Sequence, residues 1–135
     1  MIVKLQSIVV MVRDQNAALD FYTKRVGLEK RTDVPAPPGG QRWVTVASKG
    51  QELEISLFQG GRAIDPKSQA PEGRPVGRQV GTFITTDCKK DFEDMKARGV
   101  SFNEEKPGEY PFGIVASFTD PDGNSFTLLQ PAGKW

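Results

Sequence analysis

Hydrophobic and polar positions in the first part of the chain predict a strand followed by a helix. Residues 3–12 are rich in β-branched side chains, which is typical of a strand. Over 17–26 the apolar positions recur at three- and four-residue spacing, which predicts a helix with one buried face. Asp14 or Asn16 is expected to cap this helix, and Gly27 stands where a left-handed residue commonly ends one.

Three further strands are predicted in the first half, over residues 28–34, 42–47 and 52–58. A proline- and glycine-rich loop separates the first two, and a short polar turn separates the others. Because side chains alternate along a strand, the helix would cover one face of the third strand and leave a polar face uncovered. The predicted polar face carries Glu52, Glu54, Ser56 and Phe58, and the predicted covered face carries Leu53, Ile55 and Leu57.

The same order of elements returns in the second half of the chain. A strand over 80–86 leads to Asp87, which is a candidate cap for a helix that buries Phe92 and Met95 and ends at Gly99. The remaining segments are strands over 100–103, 114–118 and 125–130, a loop over 109–113 and a turn over 119–124. The second half is therefore predicted to repeat the order β-α-β-β-β.

The two halves are predicted to belong to one domain. The chain has 135 residues, of which 37% are hydrophobic, enough for one domain with a substantial core. Residues 60–78 contain four glycines and three prolines with almost no apolar periodicity, which is typical of a linker or mobile flap. We therefore predict a single α+β domain of two modules, the first over about 1–59, a linker over about 60–78, and the second over about 79–131.

Charge and cysteine content exclude several classes of partner. Eighteen basic and seventeen acidic residues give a net charge of +1, so no nucleic acid or membrane partner is expected. The N-terminus lacks the pattern of a signal peptide, and no segment is long and apolar enough to span a bilayer. Cys88 is the only cysteine and the chain has no histidine to serve as its base, so Cys88 is interpreted as a small side chain at a helix start. A cytoplasmic location is expected.

Several motifs together resemble the vicinal oxygen chelate superfamily, which includes glyoxalases, bleomycin resistance proteins and extradiol dioxygenases. Each motif alone is common, but their joint order and spacing are specific, and they cover nearly the whole chain. The motifs are Asp14 with Ala18, Phe21-Tyr22 and Val26-Gly27-Leu28, then Asp87, the run from Met95 to Val100, and the run from Phe118 to Asn124. The resemblance implies paired β-α-β-β-β modules whose curled mixed sheets form a cup, often completed by a second chain. A homodimer is therefore expected.

The resemblance also implies where a metal would bind. Metal-using members take four ligands from the first and fourth strands of each module, and histidine or glutamate would be expected at these positions. Here the positions fall on Ser7, on Glu54, on or next to Val80, and on Thr127. Only Glu54 matches, and hydroxyl groups replace imidazole and carboxylate poorly as metal ligands. No cofactor is expected.

The candidate ligand-binding residues are of two kinds. Aromatic side chains would give the cup flat walls suited to a planar ligand, and polar side chains would anchor it. The aromatic candidates are Trp43, Phe58, Tyr110 and Phe112, and the polar candidates are Ser7, Glu54, Ser56 and Thr127. Phe83 is interpreted as a core residue. Arg62, Arg74 and Arg78 lie in the linker, where they would either clamp an anionic ligand or remain solvated.

Three functions remain open at this point, because one scaffold can host enzymes and binding proteins alike. The interpretation with most support is a small-molecule-binding protein of the bleomycin-resistance type, which sequesters an apolar or aromatic ligand without a metal. The first alternative is a lyase, isomerase or dioxygenase-type enzyme in which Glu54 is a metal-free base, or binds a cation together with Glu52 in an atypical metal site. The second is a degenerate module for dimerisation or regulation.

Overall fold

The computed structural model describes residues 1–36, 38, 40–59 and 79–133. The chain divides into two compact units, Met1–Ser68 and Gln69–Trp135, so the division falls within the segment predicted to link the modules. The predictions for that segment, including Arg62, Arg74 and Arg78, lie outside the described residues. None of the described helices has the length and apolar character needed to cross a bilayer.

The described residues of the first unit form a four-stranded mixed sheet and one helical segment. In chain order its elements are β1 (Ser7–Val12), α1 (Gln15–Asp20), β2 (Glu29–Val34), β3 (Trp43–Ala47) and β4 (Glu54–Gln59). The strand order is β1-β4-β3-β2, with β1 parallel to β4 and the other pairs antiparallel. The predicted order of elements is confirmed, although β1 and β4 both start later than predicted. Glu52 and Leu53 consequently precede β4, so the prediction that Glu52 lies on the strand face with Glu54 is wrong.

The helix begins and ends as the sequence predicts but widens in between. The Asp14 carboxylate accepts hydrogen bonds from the backbone N–H groups of Asn16 (2.8 Å) and Ala17 (3.1 Å), so Asp14 is the cap. From Phe21 to Val26 the helix is π-helical, and it ends at Gly27, whose φ of 97° is left-handed. At this transition the Thr23 hydroxyl donates to the Leu19 carbonyl (2.6 Å), a contact that competes with regular helical bonding.

Gln15 joins the start of α1 to the sheet. Its side-chain amide nitrogen donates to the Arg42 carbonyl (2.7 Å) and to the Leu57 carbonyl (2.9 Å). The register of β3 and β4 pairs only Thr45 with Ser56 and Val46 with Ile55, so these carbonyls lie beyond the paired residues. Gln15 is buried and satisfies both acceptors, which a buried polar group requires. The buried apolar side chains of this unit are Val10, Val12, Ala18, Phe21, Tyr22, Val44, Val46, Ala47, Ile55 and Leu57.

From residue 79 to residue 133 the second unit forms a five-stranded sheet and one longer helix. Its elements are β5 (Gln79–Ile84), α2 (Cys88–Ala97), β6 (Ser101–Phe102), β7 (Gly108–Tyr110), β8 (Gly113–Thr119) and β9 (Ser125–Pro131). The order is β5-β9-β8-β6, with β7 also paired to β8. The Asp87 carboxylate caps α2 through the Lys90 N–H (3.1 Å), as predicted. Phe92 and Met95 are buried, and Gly99 follows the helix with a φ of 93°.

The prediction of a loop over 109–113 is wrong in part, because Gly108–Tyr110 forms strand β7. This unit therefore has the order β-α-β-β-β-β. Gly108, Glu109 and Tyr110 pair with β8, and the turn at Pro111 and Phe112 closes a hairpin. The pairing depends on the free edge of β8 rather than on local alternation, which three residues are too few to show. Between β6 and β7 the same edge is completed by Glu104, whose carboxylate accepts the Ser117 N–H (2.9 Å).

Aromatic side chains form much of the second unit's core. The Phe83 ring lies 5.1 Å from the Phe126 ring and 6.4 Å from the Phe118 ring, between centroids. The Phe102 ring lies 4.5 Å from the Phe92 ring of α2. These contacts place the partly buried Phe83 against two buried core rings, and they identify the face of the sheet that α2 covers.

Gly113 supplies the first prediction. Its φ is 152°, and a Cβ atom there would lie 2.3 Å from the Gln130 carbonyl oxygen. Gly113→Ala should therefore destabilise the protein by about 2 to 4 kcal/mol in urea denaturation, through both backbone strain and steric overlap. The matched control is Gly81→Ala, because no atom lies within 4 Å of a Cβ at Gly81. Equal stability of the two variants would contradict the described approach of β8 to β9.

The second prediction concerns the thiol of Cys88, which is buried at the start of α2. Burial raises its pKa, and Asp91, Glu104 and Asp87 raise it further. We expect the folded protein to react slowly with Ellman's reagent at pH 8, and the urea-unfolded protein to react completely.

Because the folded thiol holds its proton more tightly, the stability it contributes is full below the ordinary thiol pKa and is lost as the pH rises through the raised value. Cys88→Ala should therefore reduce the loss of stability between neutral and strongly alkaline pH. Fast labelling of the folded protein at pH 8 would show that Cys88 is accessible and would contradict the packing described above.

Candidate functional site

The first unit's sheet has one face that the helix does not cover, which we call the open face. Ile55 and Leu57 are buried and Ser56 lies between them on β4, so alternation points Ser56 to the opposite side from these two residues. The register pairs Ser56 with Val9 of β1 and with Thr45 of β3. Continuing the alternation, the open face carries Ser7, Val9, Trp43, Thr45, Glu54, Ser56 and Phe58.

Large apolar side chains on the open face are partly accessible to solvent. Val9 is 48% exposed, Trp43 42% and Phe58 37%. Such a cluster of uncovered apolar groups on one surface is typical of a binding site. Trp43 and Phe58 were predicted from the sequence as ligand-binding residues. Val9 was not, although the alternation of β1 could have revealed it.

Glu54 lies at one end of the open face. The register places it directly opposite Ser7, so the two predicted site residues are neighbours on β4 and β1. Glu54 is half-buried, and within the described residues its carboxylate has neither an arginine partner nor another ion-pair partner. A carboxylate without such a partner is available to accept a hydrogen bond from a bound molecule.

Thr127 lies on the second unit's sheet, on the face opposite α2. It pairs with Thr82 and with Ser117, and its hydroxyl accepts a hydrogen bond from the Gln79 side-chain amide (3.1 Å). The Ser117 hydroxyl lies 3.4 Å from it. This face therefore carries a row of hydroxyl groups, of which the sequence analysis named only Thr127.

The residue that pairs with Thr127 on β5 differs from the one expected from the resemblance. The resemblance placed it on or beside Val80, but the pairing of β5 and β9 shifts between Gln79 and Gly81. The residue opposite Thr127 is consequently Thr82. A local irregularity of this kind leaves no mark in a count of positions from the helix cap.

Tyr110 and Phe112 form a separate aromatic pair on the β7–β8 hairpin. Their rings are nearly parallel, at 6°, with centroids 5.3 Å apart, and both side chains are more than half exposed. A Cβ atom on Gly108 would lie 2.7 Å from the Tyr110 ring, so the ring packs directly over this glycine. The pair offers a flat apolar surface at the edge of the sheet.

The predicted metal-ligand positions do not provide a donor set for a divalent ion. In the first unit Glu54 is joined by the hydroxyl of Ser7, and in the second Thr127 is flanked by hydroxyl groups and an amide. Among the residues that the structure describes, no three histidine, cysteine, aspartate or glutamate side chains are grouped closely enough to hold a metal. Zinc and similar ions favour imidazole, thiolate and carboxylate ligands, and of these the four predicted positions offer the Glu54 carboxylate alone.

A surface cleft of about 550 Å³ in the second unit lies beside α2, with Lys89, Glu93 and residues 106–109 as its walls. Lys89 and Glu109 form an ion pair across it (2.7 Å), which raises the pKa of Lys89 and lowers that of Glu109. Both side chains are more than half exposed, and such pairs contribute little to stability. The cleft contains none of the predicted ligand-binding residues.

Comparison with known proteins identifies the family. The family model described as "Glyoxalase/Bleomycin resistance protein/Dioxygenase superfamily" matches residues 4–128. The protein YetH of Bacillus subtilis (strain 168) is 31% identical over 130 residues, which cover 96% of this chain and 100% of YetH.

Solved structures agree with this match. TnmS3, an antibiotic binding protein from Streptomyces sp. CB03234, is 32% identical with a TM-score of 0.76, over 97% of this chain and 98% of TnmS3. A superfamily member from Sphaerobacter thermophilus DSM 20745 is 33% identical with a TM-score of 0.76, over 96% and 98% of the two chains. The resemblance seen in the sequence motifs is confirmed, and the chain belongs to the glyoxalase/bleomycin resistance protein/dioxygenase superfamily.

Proposed function

We propose that this protein binds and sequesters a planar aromatic small molecule without the help of a metal ion. The observation that carries the proposal is the open face, where Val9, Trp43 and Phe58 are partly exposed beside Glu54. The similarity to TnmS3, which is described as an antibiotic binding protein, supports the same class of function.

The open face is suited to binding by apolar contact. A flat ligand against Trp43 and Phe58 would remove apolar surface of both partners from water, and each 100 Å² removed contributes about 2.5 kcal/mol. Two aromatic side chains orient a planar ligand by stacking, because parallel offset and edge-to-face arrangements are preferred. Glu54 would then accept a hydrogen bond from a hydroxyl or amino group at the edge of the ligand.

Binding requires less of the site than catalysis does. Proton abstraction at Glu54 would also need a group that stabilises the charge developing on the substrate. The described neighbours of Glu54 on the open face are the neutral hydroxyls of Ser7 and Ser56 and apolar side chains. The enzyme alternative stays a prediction with Glu54 as its base, and so does the module for dimerisation or regulation.

The third prediction tests ligand binding directly. Protein purified without a histidine tag and kept in EDTA should show saturable thermal stabilisation by at least one member of a panel of planar aromatic antibiotics. A ligand at 100 times its Kd stabilises a protein by about 2.7 kcal/mol, which is a shift of several degrees at this size. Trp43→Ala should weaken binding at least about tenfold, because one face of the ligand loses its stacking partner.

The matched control is Leu5→Ala, which removes an exposed apolar side chain outside the strands. It should bind as the wild type does. If no compound in the panel stabilises the wild type saturably, the proposed function is wrong.

The fourth prediction separates Glu54 as an anchor from Glu54 as a base. Glu54→Gln should weaken binding of hydroxyl- or amino-bearing ligands about tenfold, because a charged acceptor is replaced by a neutral amide. Mass spectrometry of the ligand after long incubation with the wild type should show no new product. A product that forms with the wild type and not with Glu54→Gln would favour the enzyme alternative instead.

A further inference from the structure

We propose that the hydroxyl of Ser56 selects the ligand by donating a hydrogen bond to a carbonyl oxygen, so that the preferred ligand class is an uncharged planar aromatic ketone. This inference rests on the proposed function and specifies which ligands the open face prefers. It depends on whether one buried hydroxyl group, that of Ser56, has a hydrogen-bond partner within the chain.

Ser56 is buried without a hydrogen-bond partner. Its exposed fraction is 1%, and its hydroxyl oxygen contacts no donor or acceptor among the described residues. The neighbouring hydroxyl of Thr45 is equally buried but accepts the Thr32 N–H (3.0 Å). Because the large majority of buried polar side chains are hydrogen-bonded, an unpaired one indicates a partner supplied from outside the chain.

The direction of the Ser56 side chain indicates where that partner would lie. Ser56 alternates with the buried Ile55 and Leu57, so it points to the open face. Its cross-strand neighbour is Val9, and two residues along the strand lies Phe58, both partly exposed. The hydroxyl is therefore directed toward the surface that the proposed ligand would cover. It is shielded from solvent in the free protein, so a ligand reaches it only when the groups around it move aside.

The surroundings favour an uncharged acceptor over other polar groups. The Glu54 carboxylate two residues away would repel an anion. A positively charged group would bind to that carboxylate in preference to the hydroxyl. A carbonyl oxygen accepts the serine proton and brings no donor that would need a partner of its own. A hydrocarbon at the same place would leave the hydroxyl unpaired and would bind more weakly.

The fifth prediction uses two tricyclic probes that differ only at the bridging carbon, 9-fluorenone with a carbonyl and fluorene with a methylene. In equilibrium dialysis the wild type should bind 9-fluorenone about tenfold more tightly than fluorene, and Ser56→Ala should bind the two about equally. Without a ligand, Ser56→Ala should melt at the same temperature as the wild type or above it, because it removes an unpaired buried hydroxyl.

The matched control is Thr85→Val in the second unit, which removes a hydroxyl that already donates to the Asp91 carboxylate and accepts the Asp87 N–H. It should lower the melting temperature and keep the roughly tenfold preference for the ketone. A lower melting temperature for Ser56→Ala would show that its hydroxyl is paired in the free protein, and would overturn the inference.

The remaining outcomes separate the inference from the proposed function. A wild type that binds both probes equally, or a Ser56→Ala variant that keeps the preference, would overturn the role of Ser56 and leave the binding function intact. If the wild type binds neither probe, the ketone class is wrong, while the antibiotic panel still decides the proposed function independently.

Discussion

In each unit, the described residues form a sheet with two faces and a single helix to cover them, and the candidate site depends on this geometry. In each described unit the helix lies on one face, where it buries valine and isoleucine in the first unit and phenylalanine in the second. The other face must then be covered by something else or remain open to solvent. In the first unit it remains partly open, and its apolar side chains become surface on which a ligand can be bound.

Much of the fold could be predicted because its signals are local. Asp14 and Asp87 cap their helices through bonds to backbone groups two or three residues away, and Gly27 and Gly99 end them with positive φ values. The buried side of α2 follows directly from helical periodicity. These features depend on residues close together in sequence, which is why the order of elements was predicted nearly in full.

The features that were not predicted depend on distant contacts. Strand β7 exists because β8 offers a free edge, and three residues give no periodicity of their own. The role of Gln15 has no local signal, since its side chain donates to the carbonyls of Leu57 on β4 and of Arg42 just before β3. The pairing of Thr82 with Thr127 follows from a register shift in β5, which a sequence pattern does not record.

In the candidate site, too, some features could be predicted from the sequence and others could not. Alternation along β4 was sufficient to place Glu54, Ser56 and Phe58 on one face, because burial of Ile55 and Leu57 fixes the register. Alternation could not show that the Ser56 hydroxyl is buried without a partner while Thr45 beside it is satisfied. That difference depends on the positions of individual atoms, and it is the basis of the proposed preference among ligands of similar shape.

Because the predicted metal-ligand positions carry hydroxyl groups beside a single carboxylate, the open face is proposed to bind its ligand by apolar contact and hydrogen bonds alone. The most direct test is the metal content of untagged protein saturated with a ligand from the antibiotic panel, measured by inductively coupled plasma mass spectrometry after dialysis. We predict far less than one divalent ion per chain at full ligand occupancy. One tightly held ion per chain, whose removal abolishes binding, would contradict the account.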